Sequence, residues 1–328
     1  MPAQVEITPW HWAVFIVLIL GFLGLDLAVF HRRSRPASLA ESIRWTAFWV
    51  AVALAFAGIL AWTRDRSEAT QFLTGYFIEL SLSMDNVLVI ALVFSYFQVA
   101  AEHQHRVLFL GVLGALIMRG IMIWAGVELI NRFDWLLYFF GAFLLFTGVR
   151  LAIRKTPSGG PEGSRVVRVA RKFLPLSPSY DGGNFITRWN GRKCFTPLVL
   201  VLLAVETSDV VFAVDSIPAI FGVTRKSFIV FTSNILAIIG LRSLFFVLSG
   251  AMGLFHYLRA GLSAVLVFIG VKMLIDPHEN PSPKWFQYDV PDVTALIVVV
   301  AILAVSILAS LFVAGKGPGD GKAPGQPA

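Results

Sequence analysis

Nine long apolar runs, at 10–30, 45–62, 71–97, 107–130, 135–153, 197–221, 227–251, 257–275 and 293–313, alternate with short polar stretches along the chain. A helix needs about 20 residues to cross a hydrocarbon core ~30 Å thick, and each run approaches or exceeds that length. Lipid offers backbone groups no partner, so a spanning segment must be a helix or a strand of a closed barrel. These runs are too long and too continuously apolar for barrel strands, which alternate between two faces. The pattern predicts an all-α polytopic membrane helix bundle, with about nine transmembrane helices within 1–314. No basic stretch precedes the first run, which is long enough to span and so reads as a helix rather than a cleaved leader. A Gly- and Pro-bearing stretch at 154–195 reads as a flexible connector dividing the chain into two halves, and the Gly/Pro-rich tail at 315–328 reads as disordered.

Composition agrees with the pattern. Of 328 residues, 57% are hydrophobic and 14% charged, against roughly 25% charged in an ordinary soluble domain. Lys and Arg number 27 against 20 Asp and Glu, a formal net charge of +7. The excess sits in loops: Arg32, Arg33 and Arg35 follow the first run, and nine Lys or Arg from Arg154 to Lys193 follow the fifth. Loops rich in Lys and Arg stay on the cytoplasmic side. With nine spans the N-terminus is then expected outside and the C-terminus in the cytoplasm. Topology therefore accounts for the basic balance without nucleic acid. Arg225 and Lys226 fall on the outer side and run against the rule. The single cysteine, Cys194, excludes a disulfide or a thiolate cluster within one chain. No His-Glu-x-x-His, Gly-x-Ser-x-Gly or phosphate-binding glycine loop occurs, so no enzyme activity is expected.

The two sides of the connector resemble each other. Phe146-Thr147-Gly148-Val149-Arg150 is echoed by Phe268-Ile269-Gly270-Val271-Lys272, and Arg119 by Arg242. The separations of Asp85 from Arg119 and of Asp209 from Arg242 agree within one residue. Spans three to five (about 71–153) thus read as a copy of spans six to eight (about 197–275). Three is odd, so the copies enter the membrane from opposite faces, as in transporters whose substrate site lies near the midplane.

Five carboxylates lie deep in apolar sequence: Glu79 and Asp85 in the third run, and Glu206, Asp209 and Asp215 in the sixth. Each costs ~2.5–3.5 kcal/mol at a helix centre, so compensation is required. Arg119 and Arg242 can balance two, which leaves room for protons or a bound cation. The surrounding groups are oxygen-rich, with Asn86 and Ser83 but no sulfur, a set suited to Mn²⁺, Mg²⁺ or Ca²⁺ rather than Zn²⁺ or Cu⁺. At 100° per residue Glu79, Ser83 and Asn86 share a stripe, as do Glu206 and Asp209, whereas Asp85 and Asp215 point elsewhere. Pro218 is expected to kink or break the sixth span, so that unwound backbone could help gather these oxygens. Arg150 and Lys272 are expected to snorkel from span ends. Asp26, near the inner end of the first span, reads as a pathway group or a helix cap.

The motifs Glu79-x-x-Leu82-Ser83-x-Asp85-Asn86 and Glu206-x-x-Asp209-x-x-Phe212-Ala213-x-Asp215-Ser216-Ile217-Pro218 resemble those of the TerC family of integral membrane proteins. That group is named for tellurium resistance and includes Alx-like manganese exporters. The resemblance implies Mn²⁺ export across a bacterial inner membrane, with Glu79, Asp85, Asn86, Glu206, Asp209 and Asp215 at the metal site. Manganese would then be transported substrate, with no tightly bound cofactor, and protons the exchanged ion. Arg119 and Arg242 would balance charge or gate the site. Composition and spacing reach only a cation or proton pathway; a non-transporting scaffold of a metal or tellurite stress-response complex is the rival reading. Partners on either reading include membrane lipid, and a homo-oligomer is compatible with both.

Overall fold

The computed structural model describes residues 8–30, 39–153, 165–249, 257–276 and 287–314. Among them the chain forms α1 (Pro9–Phe30), α2 (Leu39–Thr63), α3 (Arg66–Tyr96), α4 (Ala101–Arg132), α5 (Trp135–Ile153), α6 (Arg165–Phe173), α7 (Pro197–Phe221), α8 (Ser227–Ser249), α9 (Leu258–Ile275) and α10 (Asp292–Ala314). A hairpin, β1 (Ile186–Trp189) with β2 (Arg192–Phe195), lies between α6 and α7. Seven helices, α2, α3, α4, α5, α7, α9 and α10, are long and apolar enough to cross a membrane; α1 and α8 contribute shorter apolar stretches, Pro9–Gly24 and Ser227–Leu241. The chain is an all-α polytopic membrane protein. The expected tail at 315–328, the loop bearing Arg32, Arg33 and Arg35, and the first part of the connector lie outside the described residues. The rest of the connector is structured, with α6 and the hairpin where a flexible link was expected.

Local sequence explains the helix ends. Pro197 opens α7, where its missing N–H costs nothing. At the end of α3, Gln98 turns left-handed (φ 51°), with Gln98 N–H donating to Ser95 O and Val99 N–H to Phe94 O. Those two bonds form a Schellman closure that satisfies orphan carbonyls before α4 begins. Contrary to the expected break, α7 is a continuous helix from Pro197 to Phe221. Pro218 lies in its last turn, where Gly222 N–H donates to its carbonyl, so the lost bond falls close to a terminus. α3 is equally unbroken.

α3 is central, packed against α2, α7, α8 and α10. Gly75 faces Ser233 and Phe94 stacks edge-on to Phe245 at 5.5 Å, so α3 and α8 run parallel. Gly111 faces Val205 and Gly126 faces Phe221, so α4 and α7 are parallel too. Gly75 beside Ile220 and Asn86 beside Asp209 make α3 and α7 antiparallel. α5 and α9 form the tightest seam. A Cβ on Gly270 would lie 2.8 Å from Leu145 N, and one on Gly148 3.0 Å from Val267 N. Small residues let membrane helices approach this closely, and dispersion then replaces a hydrophobic drive that lipid cannot supply. The seam is antiparallel and maps onto itself when Gly148 is exchanged for Gly270 and Leu145 for Val267. Under the same exchange the contact of Gly141 with the Gly270 carbonyl becomes that of Ser263, whose hydroxyl donates to Gly148 O at 2.6 Å. Outward faces remain apolar, with Trp124, Ile153 and Phe312 each about three-quarters exposed, as a lipid-facing surface requires.

Candidate functional site

At mid-length in α4, Arg119 is 1% exposed and lies between acids from two other helices. Its Nη1 donates to Glu79 Oε1 of α3. On the other side Nη2 donates to Asp209 Oδ1 of α7 at 2.9 Å and Nε to Asp209 Oδ2 at 3.1 Å, a bidentate fork. Planar guanidinium geometry matches a carboxylate in this way, which a lysine could not reproduce.

Neutral polar groups complete the cluster. Asn234 of α8, fully buried, accepts from Arg119 Nη1 at 3.0 Å and donates to Glu79 Oε2 at 3.3 Å. Ser83 donates to Glu79 Oε1 at 3.3 Å, and Ser216 accepts from Arg119 Nη1 at 3.4 Å. Asn86 donates to Asp209 Oδ1 at 2.9 Å, while its own Oδ1 is buried with no hydrogen-bond partner. Asn86 thus reaches Asp209 as Ser216 reaches the nitrogen that holds Glu79. Pairing Asn86 with Ser216 would align Glu79 with Asp209, a register different from the Asp85–Asp209 match drawn from spacing.

Glu206, one turn before Asp209, lies against Gly114 of α4 and feels the repulsion of Asp209. A Cβ at Gly114 would occupy the volume of the Glu206 carboxylate. Asp85 and Asp215 are half-buried and feel the charges of Arg259 and Arg150 respectively. No described side chain hydrogen-bonds to Asp85, Glu206 or Asp215. The side chains of Arg242 and Asp26 lie outside the described residues.

Of the six expected ligands, the structure therefore unites Glu79, Asn86 and Asp209 around Arg119, sets Glu206 beside them, and gives Asp85 and Asp215 other electrostatic neighbours. Among the described residues no three His, Cys, Asp or Glu side chains converge to cage a metal ion; a guanidinium stands between Glu79 and Asp209. Formally Glu79, Arg119 and Asp209 sum to a single negative charge, and Glu206 adds a second. Asn234 is the participant that motif reading missed. An Asn in the middle of the apolar 227–251 run was the available signal, since intramembrane amides face bundle interiors.

Lys272, expected to snorkel, is instead 4% exposed and donates to Gly222 O at 3.3 Å and Asp276 Oδ2 at 3.1 Å. It closes the carbonyl end of α7. Arg150 is exposed, over the Phe146 ring. At the same end of the bundle as Lys272, buried Glu68 is held by Arg64 and by Lys226 Nζ at 2.8 Å, which ties the α2–α3 corner to the α7–α8 loop.

Comparison with known proteins finds other membrane proteins along most of the chain. A membrane protein of Myxococcus xanthus is 47% identical over 318 residues, 97% of each chain. Alx of Escherichia coli (strain K12), named as a proposed membrane-bound redox modulator, is 44% identical over 315 residues, 93% of this chain and 95% of its own; its Salmonella typhi counterpart is 45% identical over the same shares. No solved structure matches. The family model described as Integral membrane protein TerC family matches residues 64–317, which hold every acid and arginine of the buried cluster. The chain thus belongs to the TerC family of integral membrane proteins.

Proposed function

We propose that the chain is a secondary transporter that exports a divalent cation, most specifically Mn²⁺, in exchange for protons, through the site around Arg119. One observation carries this reading: two fully buried carboxylates from different helices share a single guanidinium at mid-span. Arg119 acts as a tethered cation. When it swings away, Glu79 and Asp209 present two negative charges, which one dication or two protons neutralise. The oxygens within reach are those of Glu79, Asp209, Asn86, Ser83, Ser216 and Asn234, a hard set suited to Mn²⁺, Mg²⁺ or Ca²⁺. The unpartnered Oδ1 of Asn86 supports the fit, because a buried amide oxygen without a donor is costly. Glu206 is the adjacent acid that receives the ion, and Asp85 and Asp215 lie along its route.

The repeat supports alternating access. The α5–α9 seam maps onto itself when the two halves are exchanged, as rocking of one repeat against the other requires. The Lys/Arg-rich connector supports an orientation with that end in the cytoplasm, within a bacterial inner membrane. Cys194 is the sole cysteine, so the redox effect in the Alx relatives' name would reach this chain through the ions it moves rather than through a thiol pair of its own.

The test is ⁵⁴Mn²⁺ uptake into inverted vesicles with an imposed proton gradient. Wild type accumulates the ion and a protonophore abolishes accumulation; Glu79→Gln and Asp209→Asn reduce it by at least tenfold. Wild-type accumulation by both variants would overturn the proposed site.

A further inference from the structure

The segment 165–196, beyond the buried site, holds seven Lys or Arg and one acid, Asp181. On α6, Arg168, Arg171 and Lys172 are exposed, beside the exposed apolar side chains of Val169 and Phe173. The opposite face of α6 is buried: Val167 and Ala170 join the core formed by Leu198 and Val201 of α7. This amphipathic helix therefore lies along the first turns of α7, a helix long and apolar enough to cross a membrane.

The hairpin repeats the pattern. Arg188, Arg192 and Lys193 are exposed, and Ile186 and Trp189 expose half or more of their surface. Its tight turn is made by Asn190 and Gly191, both at positive φ. Arg188 stands directly opposite Lys193 across the two strands. Like charges in that position repel, and the surrounding segment offers little acid to offset them. An external anion would relieve the repulsion.

The platform is held rigidly. Tyr180 Oη donates to Phe97 O at 2.6 Å, Arg106 Nη1 to Gly183 O at 2.9 Å, and Thr196 Oγ1 to Asn184 O at 2.6 Å. The basic groups are thereby fixed to the ends of α3, α4 and α7 instead of floating on a linker.

We propose that α6 and the β1–β2 hairpin form a docking surface for the anionic lipid headgroups of the adjacent leaflet. Basic side chains meet the lipid phosphates while Phe173, Ile186 and Trp189 enter the headgroup region. Apolar anchoring combined with positive charge is the pairing that holds peripheral segments on anionic membranes. A bilayer is also the anionic surface that the position of α6 places beside it, whereas a soluble acidic partner would have to be recruited.

The test uses the full chain in nanodiscs of phosphatidylcholine, with or without 30% phosphatidylglycerol, and takes the emission of Trp189 as the difference from Trp189→Phe. We expect brominated phosphatidylglycerol to quench this emission at least twofold more than brominated phosphatidylcholine. The excess disappears in Arg188→Gln/Lys193→Gln and shrinks in 1 M salt, where the screening length falls to about 3 Å. The wild-type comparison stands even if that double variant does not fold, and Arg168→Gln/Lys172→Gln on α6 repeats the test on the other element. Equal quenching by both lipids overturns the proposal, as does aqueous iodide quenching that ignores lipid composition. Shielding of Trp189 by a polyglutamate peptide in anion-free nanodiscs, as strong as that by phosphatidylglycerol, would assign the surface to an acidic polypeptide instead.

Discussion

Arg119 contributes through being surrounded: a guanidinium at 1% exposure is tolerable only because Glu79, Asp209, Asn234 and Ser216 supply acceptors. Removing it leaves two carboxylates without compensation, and breaking a buried charge pair costs about 3–5 kcal/mol. Arg119→Gln should therefore lower the unfolding temperature in detergent. If the site takes a dication, Mn²⁺ should raise the melting temperature of this variant by more than it raises that of wild type. A ligand present at 100 times its dissociation constant adds about 2.7 kcal/mol. Equal shifts in the two proteins would remove the exchange of arginine for metal. Gly114→Ala probes the neighbouring acid. The new methyl displaces a flexible Glu206 side chain instead of backbone, so stability should change by less than about 1 kcal/mol while ⁵⁴Mn²⁺ flux falls severalfold. Glu79, Ser83 and Asn86 were legible as one stripe because helical periodicity alone fixes which side chains of a continuous helix share a face. Asn234 was not, because its role depends on α8 lying against α3 and α4.

Helices behave as units at the next scale. In the α5–α9 seam the atoms that a Cβ on Gly270 would meet are backbone, Leu145 N at 2.8 Å and Gly141 O at 2.9 Å. Backbone cannot rotate away. Gly270→Ala should separate the helices and cost about 1–3 kcal/mol, the usual range for overpacking. Gly58→Ala, with nothing within 4 Å of the added carbon, is the control and should be neutral to stabilising by about 1 kcal/mol. Thermal unfolding of the two variants side by side distinguishes them. The unbroken course of α7 shows why a proline within a motif is a weak sign of an unwound site. What matters is its distance from the helix end, and Pro218 lies only three residues from Phe221. The oxygens of the cluster consequently come from side chains, and Asp85 and Asp215 keep the separate directions that helical spacing assigns them.

For the whole molecule, contacts between neighbours set the topology. α1 runs parallel to α8, with Trp12 5.3 Å from Phe228, and α9 runs antiparallel to α10, where Gly261 faces Ser306 and Tyr257 N–H donates to Ser310. Together with the pairings around α3, these place the connector at one end of the bundle and Asp134, Arg225 and Lys226 at the other. Single cysteines at Asp181 and Asp134, in a Cys194→Ser background, should react with an impermeant maleimide from opposite sides, Asp181 from the cytoplasm if basic residues set the orientation. Reaction of both from one side would invalidate the packing. Arg225 and Lys226 ran against that charge rule in the sequence; in the fold Lys226 pairs with Glu68 and Arg225 with Asp134 at 3.3 Å, which offsets their charge. An all-helical membrane fold, and Glu79 and Asp209 as acids within it, were readable from residue order, because lipid forces each apolar run to satisfy its own backbone. Which acids share a cation, and that Asn234 joins them, were settled by packing alone. Those facts depend on distances between helices remote in the chain, and a local pattern holds no measure of them.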